Sequence, residues 1–162
     1  MSLKINTDEL MQMIETARDL YHRLVLVVAP SGAGKTAALQ AVAQARGVPC
    51  MNVNLDLSKR MLDLTTRQRA IYAAALLREK VEEDGRKVAV LDNLEILFDR
   101  SLQLDPLRVL KDLGRQVTVV ASWNGRLDAH GLTYGDPDHP EYRLYPPSEI
   151  DFLYVTTEGK EA

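Results

Sequence analysis

The sequence contains few of the features that secreted or membrane-spanning proteins need. Cys50 is the only cysteine, so no disulfide can form within the chain, which favours a reducing compartment. The three histidines are scattered and offer Cys50 no partners for a metal site. The longest apolar run in the first half, 24–30, is too short to cross a bilayer, and the N-terminus lacks a signal-peptide layout. We therefore expect a cytoplasmic protein with no membrane contact.

Neither sign of charge is in large excess. The chain has 20 basic and 23 acidic residues, for a formal charge of −3. A stand-alone nucleic-acid binder normally carries an excess of lysine and arginine, so DNA contact is expected only within a complex. The apolar content of 46% is typical of a globular protein, and 162 residues predict a single domain, 1–162.

Short β-branched runs alternate with helical patterns, which predicts an α/β fold of three layers. Strands are predicted at 24–28, 50–54, 88–91, 117–121 and 152–156. Helices are predicted at 7–23, at 35–46, from Asp56 to Leu64, between Thr65 and Gly85, and between Asp105 and Gly114. The apolar runs suit strands that are buried on both faces. We expect a mainly parallel sheet of about five strands, with helices on both faces and no lid domain.

The segment 122–149 has no clear period. It holds four of the seven prolines and three of the nine glycines, which predicts a long loop. However, six of the nine aromatic residues lie within 123–154. We therefore expect an ordered loop that packs on the domain or on a partner.

A phosphate-binding loop lies between the first strand and the following helix. The residues are Ala29, Pro30, Ser31, Gly32, Ala33, Gly34, Lys35 and Thr36, which match the relaxed Walker A pattern. The glycines let backbone N–H groups turn towards phosphate oxygens, and the helix directs its positive end at the same anion. Lys35 adds a charge for the β- and γ-phosphates, and the Thr36 hydroxyl is a ligand for Mg²⁺. A guanine-reading Asn-Lys-x-Asp segment is absent from the sequence, which favours ATP.

The third predicted strand ends in an acid, Asp92, which predicts the second protein group of a Mg²⁺ site. A glutamate often follows such an acid and polarises the attacking water. Here Asn93 follows, and its amide can orient water but cannot accept a proton. Glu95 is the nearest carboxylate that could replace the missing base, although a solvated surface role is equally compatible with the sequence.

Polar residues at other strand ends are further candidates for the site. Asn124 or Ser122, after the fourth strand, could sense the γ-phosphate, and Asn54 could contact the catalytic acid. The predicted catalytic residues are thus Asp92, Glu95, Asn93 and Asn124. Candidates for an arginine that completes a neighbouring subunit's site are Arg100, Arg108, Arg115, Arg126 and Arg143.

Several segments together resemble one family. They are 24–36 (LVLVVAPSGAGKT), 52–64, 91–98, 105–107, 121–125, 139–143 and 145–146. Together they resemble the BrxF family, the small P-loop proteins of type 3 BREX (bacteriophage exclusion) systems. The resemblance extends from about residue 20 to 150, and its LDNLEILFD and WNG segments are the most distinctive. It implies an AAA-type ATPase core without a helical lid. It also implies an antiviral role beside a large ATPase, a DNA methyltransferase and a phosphatase-like protein.

Three functions remain open at this point. The first is a regulatory or assembly ATPase that switches with its nucleotide. The second is a small-molecule kinase, and the third is a nucleotide-bound scaffold without turnover. A core without a lid leaves one side of its nucleotide exposed, so we expect a homo-oligomer in which a neighbour's arginine closes that side.

Overall fold

The computed structural model describes residues 5–83 and 85–156. Five α-helices are found in these residues: α1 (Thr7–Ala17), α2 (Lys35–Arg46), α3 (Val53–Arg60), α4 (Thr66–Glu82) and α5 (Pro106–Leu113). The seven strands of the same residues are β1 (Leu24–Ala29), β2 (Cys50–Asn52), β3 (Val88–Asp92), β4 (Thr118–Asp128), β5 (Gly131–Tyr134), β6 (Arg143–Tyr145) and β7 (Leu153–Thr156). Within these ranges, no helix combines the length and apolar content required to span a bilayer.

Five of the strands form a parallel sheet in the order β2-β3-β4-β1-β7. Strand β4 is inserted between β1 and β3, so that Ala121 pairs with Leu26 on one side and with Leu91 on the other. The carboxyl ends of parallel strands meet at one edge of the sheet. The loop after β1, the acid that ends β3 and the polar residues of β4 therefore come together.

Both faces of the sheet are covered, as the uninterrupted apolar run of β1 predicts. Leu24, Leu26 and Val28 pack into a core that α3, α4 and α5 cover. Val25 and Val27 point to the opposite face, into a second core formed with α1 and α2. The prediction of a three-layer α/β fold with a mainly parallel sheet is confirmed.

Capping residues place several helix ends where the sequence predicts them. Thr65 and Gln68 form a reciprocal capping box at the start of α4, with bonds of 3.1 and 2.9 Å. Asp105 caps α5, Pro106 occupies its first turn and Gly114 follows its last residue. These ends are fixed by local chemistry, and their prediction is correct.

The first helix is shorter than the predicted 7–23. It ends at Ala17, and the next three residues form bonds three residues back, such as the 3.0 Å bond from Leu20 N to Ala17 O. The chain has to reverse here, because Arg23 N already bonds to Gly114 O before β1 begins. Tyr21 has helical spacing but is 70% exposed. Its spacing therefore does not reflect a buried helical face.

The second strand is also shorter than predicted, and the helix after it begins earlier. The strand ends at Asn52, whose side chain accepts a 3.0 Å bond from Leu55 N and so caps α3. Asp56 therefore lies in the first turn of α3 and does not cap it. Asn54 belongs to this helix and does not end a strand.

The segment 122–149 is not a long loop. Strand β4 continues to Asp128, then pairs antiparallel with β5, which pairs with β6. Two glycines permit this close packing: a Cβ on Gly125 would lie 1.8 Å from Thr133 O, and one on Gly131 would lie 2.0 Å from Tyr145 O. We call β5, β6 and the residues between them the hairpin (131–145). Its rings Tyr134 and Tyr145 are buried in the core of the domain.

Candidate nucleotide-binding site

The loop 30–34 has the open backbone of an anion site. Gly32 and Gly34 adopt φ values of 81° and 92°, a left-handed conformation that favours glycine. A Cβ on either glycine would meet no atom within 4 Å, so there is space in front of the loop. No side chain caps the first turn of α2, which leaves its N–H groups available to a phosphate. Pro30 and Ser31 are exposed and Ala33 is half-buried.

Lys35 is buried with its amine inside this loop. Its Nζ donates to the carbonyl oxygens of Ala29, at 3.0 Å, and Pro30, at 2.7 Å. Burial lowers the pKa of Lys35, and the nearby carboxylates of Asp92 and Glu95 oppose that shift. A buried ammonium that faces two carboxylates and an open loop is suited to an anionic ligand.

Asp92 is held by three donors at the carboxyl end of β3. Its Oδ2 accepts from the Thr36 hydroxyl at 2.7 Å. Its Oδ1 accepts from the Ser122 hydroxyl at 2.7 Å and from Asn93 N at 2.9 Å. Asp92 is only 5% exposed, and the three hydrogen bonds fix the orientation of its carboxylate. The two predicted metal ligands, Thr36 and Asp92, are in direct contact.

This pair of oxygen ligands fits Mg²⁺. Among the residues that the structure describes, His, Cys, Asp and Glu form no group of three or more that could hold a metal. Mg²⁺ usually keeps several waters and takes one or two protein ligands together with substrate phosphates. A hydroxyl and a carboxylate beside an open phosphate loop match that behaviour.

Asn93 has an unusual backbone. Its φ is 56°, a left-handed value that asparagine tolerates better than most residues. Its carbonyl accepts a 2.9 Å bond from the backbone N–H of Asn54. Asn54 therefore supports the chain beside Asp92 through its backbone, whereas the sequence suggested a contact with the acid itself.

Glu95 and Asn124 form the second polar pair of the site. Asn124 Nδ2 donates to Glu95 Oε2 at 3.2 Å. Asn124 also pairs with Ala29 across the sheet, directly before the phosphate loop. Glu95 is exposed and begins a 3-10 turn, Glu95–Phe98. Of the two β4 candidates, Ser122 thus contacts Asp92 and Asn124 contacts Glu95.

The predicted arginine candidates are dispersed. The Arg115 guanidinium lies 3.5 Å from the ring centroid of Tyr21, near the amino end of β4. Arg143 donates to Leu104 O at 2.8 Å from the hairpin. The remaining candidates, Arg100, Arg108 and Arg126, are exposed.

Tyr134 is not among the predicted site residues, yet it lies beside them. Its ring stacks on Phe98, at the end of the turn that Glu95 begins, with centroids 3.4 Å apart. Burial and the charges of Glu95 and Glu141 raise the pKa of Tyr134 to about 12. The alternation of Leu132 and Tyr134 is the signal for a strand here, but the surrounding glycines and prolines conceal it.

Solved structures that are similar to this chain include those of PCH-2 and DnaA. The structure of C. elegans PCH-2 has 15% sequence identity and a TM-score of 0.44, over 73% of this chain and 36% of that one. The structure of AMPPCP-bound DnaA from Aquifex aeolicus has 17% identity and a TM-score of 0.45, over 93% of this chain and 44% of that one. The chain thus spans less than half the length of either protein. No protein-family model and no curated protein matches the sequence.

Proposed function

We propose that this chain is an AAA-like P-loop protein that binds ATP with Mg²⁺ and switches with its nucleotide state. The observation that carries the proposal is the 2.7 Å contact between the Thr36 hydroxyl and Asp92 Oδ2, beside the buried amine of Lys35. It joins two separate motifs at one open loop. Phosphates would be held by the N–H groups of 32–36 and by Lys35, and the metal by Thr36 and Asp92. Bound Mg²⁺ would neutralise charge on the phosphates.

Slow hydrolysis is the second part of the proposal. The Glu95 carboxylate can accept a proton from a water. Asn124 orients this carboxylate through the 3.2 Å hydrogen bond. The Asn124 amide contacts Glu95, and Asn124 pairs with Ala29 directly before the phosphate loop, which supports a role in sensing the γ-phosphate. Asn93 can only orient a water, which is why we assign the base to Glu95.

The biological setting that we propose comes from the sequence resemblance. Assembly ATPases use nucleotide state to favour one subunit arrangement over another. In a BREX antiviral system the partners would be further copies of this chain, the large ATPase, the methyltransferase and the phosphatase-like protein. Co-purification from cells that carry such a system, with and without the Lys35→Ala change, tests this setting.

Equilibrium binding tests the ligand. Lys35→Ala removes the loop's charge, and we expect ATP binding to weaken by about 1.5–3 kcal/mol, the range for charge-assisted hydrogen bonds. Calorimetry with Mg-ATP measures this change. Lys59→Ala, at an exposed lysine of α3, is the matched control and should leave binding unchanged. Equal affinity in wild type and Lys35→Ala would refute the assignment of the loop.

Phosphate release tests turnover. Glu95→Gln can still accept the hydrogen bond from Asn124 but can no longer act as a base. The rate of hydrolysis should therefore fall by about 100-fold, while the affinity for ATP stays unchanged. Exposed Glu79→Gln, on α4, is its control. Equal phosphate release from Glu95→Gln and wild type would remove Glu95 from the mechanism and leave a nucleotide-bound scaffold.

One observation favours the small-molecule kinase as a second candidate. A cleft of about 440 Å³ adjoins Glu95, and Asn54, Arg69 and Ser101 contribute polar groups to its wall. A cleft beside the γ-phosphate end of a nucleotide is where an acceptor would bind. ADP formation that depends on an added acceptor, with no inorganic phosphate released, would favour the kinase over the ATPase.

A further inference from the structure

The ring of Tyr134 is tied to Glu95 through one short turn. Tyr134 belongs to β5, and its ring lies on Phe98 with an interplanar angle of 8°. Phe98 is the last residue of the 3-10 turn that Glu95 begins, and it is 2% exposed. Backbone bonds three residues apart close this turn, from Leu97 N to Leu94 O at 2.9 Å and from Asp99 N to Ile96 O at 3.2 Å, so the position of Phe98 constrains the Glu95 backbone.

A second tie joins the same strand to Asn124. Gly135 N, directly after Tyr134, donates to Asn124 O at 3.0 Å, and Gly125 pairs with Tyr134 across the strands. Trp123 donates to Thr133 O at 2.9 Å, and its ring meets those of Phe98 and Tyr134 edge-on. The two partners of the Glu95–Asn124 hydrogen bond are therefore both held by the strand that carries Tyr134.

We propose that Tyr134 is a positioning residue: its ring, stacked on Phe98, fixes the turn 95–98 and so orients the Glu95 carboxylate towards Asn124. The inference rests on the proposed function, because it assigns a cause to the orientation of the proposed base. It also makes the hairpin a structural support of the site, so that a partner bound to the hairpin would alter turnover before it altered nucleotide binding.

The test is a double-mutant cycle on steady-state hydrolysis. Tyr134→Leu removes the stacked ring and keeps an apolar side chain. We expect its kcat to fall about 10- to 100-fold, as misplaced catalytic groups do, with KM and the Kd for Mg-ATP within about twofold of wild type. Tyr134→Phe keeps the stacked ring, and its kcat should equal that of wild type. Tyr72→Leu, at a half-exposed tyrosine of α4, is the matched control.

The decisive comparison is made in the Glu95→Gln background. If Tyr134 acts through Glu95, Tyr134→Leu lowers kcat little further once the carboxylate is gone. An equal fold-loss in both backgrounds, or a loss of Mg-ATP binding together with kcat, would show a merely structural role and overturn the inference. Should Tyr134→Leu not fold, Phe98→Leu removes the same stack from the other side and makes the same prediction. A wild-type protein that releases no phosphate would overturn the proposed turnover, and the positioning role with it.

Discussion

The Thr36 hydroxyl donates a 2.7 Å hydrogen bond to Oδ2 of Asp92, across 56 residues of sequence. Lys35, next to Thr36, is also close enough to feel the charge of Asp92, which raises the pKa of Lys35 against the lowering effect of burial. The contact therefore brings the two proposed metal ligands, Thr36 and Asp92, close to Lys35, the amine that we propose to bind phosphate. The metal dependence of ATP binding is therefore a direct test of the proposed site.

Removal of the Thr36 hydroxyl should uncouple metal from nucleotide. For Thr36→Ala we expect the ratio of ATP dissociation constants in EDTA and in Mg²⁺ to fall about tenfold, which corresponds to about 1.4 kcal/mol. Thr36→Ser retains the hydroxyl and should keep the ratio within about twofold. Asp92→Ala should reduce the ratio in the same way. An unchanged ratio in both Thr36→Ala and Asp92→Ala would exclude this pair as the metal site.

Asn93 should resist replacement by the glutamate that often stands at this place. Its φ of 56° imposes a strain of about 1–2 kcal/mol on most side chains, and asparagine bears less of it. We expect Asn93→Glu to lower the free energy of unfolding by about 1 kcal/mol, while Asn93→Gly changes it little. Urea unfolding of the two variants measures both values. Equal destabilisation by glycine and glutamate would mean that the Asn93 side chain, and not its backbone, matters.

Tyr134 should make the protein sensitive to alkali. Burial, with the charges of Glu95 and Glu141, raises its pKa from 10.0 to about 12. Between these values the unfolded state loses the phenol proton and the folded state keeps it, so stability falls as pH rises from 10 towards 12. From pH 9 to 11 we expect wild type to lose about 1 kcal/mol more than Tyr134→Phe. Parallel losses in the two proteins would contradict the assignment.

A homo-oligomer should complete the site from a second copy. We expect ATP with Mg²⁺ to promote or rearrange head-to-tail oligomers, measured by light scattering. Arg126, exposed on β4 near its hairpin end, is a candidate for the arginine that acts in trans. Mixing Arg126→Ala with Lys35→Ala should then restore part of the hydrolysis that each variant lacks alone. A monomeric mass at micromolar concentration, with and without ATP, would rule out self-assembly of the isolated chain.

The parts of the fold that local chemistry determines could be predicted from sequence. The apolar run of β1 and the bracket of Asp105, Pro106 and Gly114 around α5 each carry their own signal. The sequence around the hairpin is misleading, because its glycines indicate turns although they lie in or beside paired strands. Gly125, on β4, is needed because the Thr133 carbonyl of the hairpin approaches within 1.8 Å of where its Cβ would be, a constraint that arises only once β5 pairs with β4.

The candidate site also has residues that local sequence predicts and others that depend on how the strands pair. The loop residues and Asp92 could be predicted because each motif is contiguous. The sequence did not distinguish Ser122 from Asn124, because they lie two residues apart on the same strand and so point to the same face. Only the insertion of β4 between β1 and β3 determines that Ser122 meets Asp92 and Asn124 meets Glu95. The support from Tyr134 depends on the antiparallel pairing of β5, whose strand pattern the surrounding glycines and prolines conceal.

The place of β1 in the sheet bears on the order in which the chain folds during synthesis. Both neighbours of β1, β4 and β7, come from the last third of the described chain. As the ribosome releases residues from the N-terminus, Leu24–Ala29 emerges long before either pairing partner exists. Pairings between segments so distant in sequence are slow to form, and until they form the apolar β1 has no strand partner. The loop 30–34 is thus synthesised early, but the strand pairings that support it form late. Until then, chaperones would meet β1 as an unpaired strand.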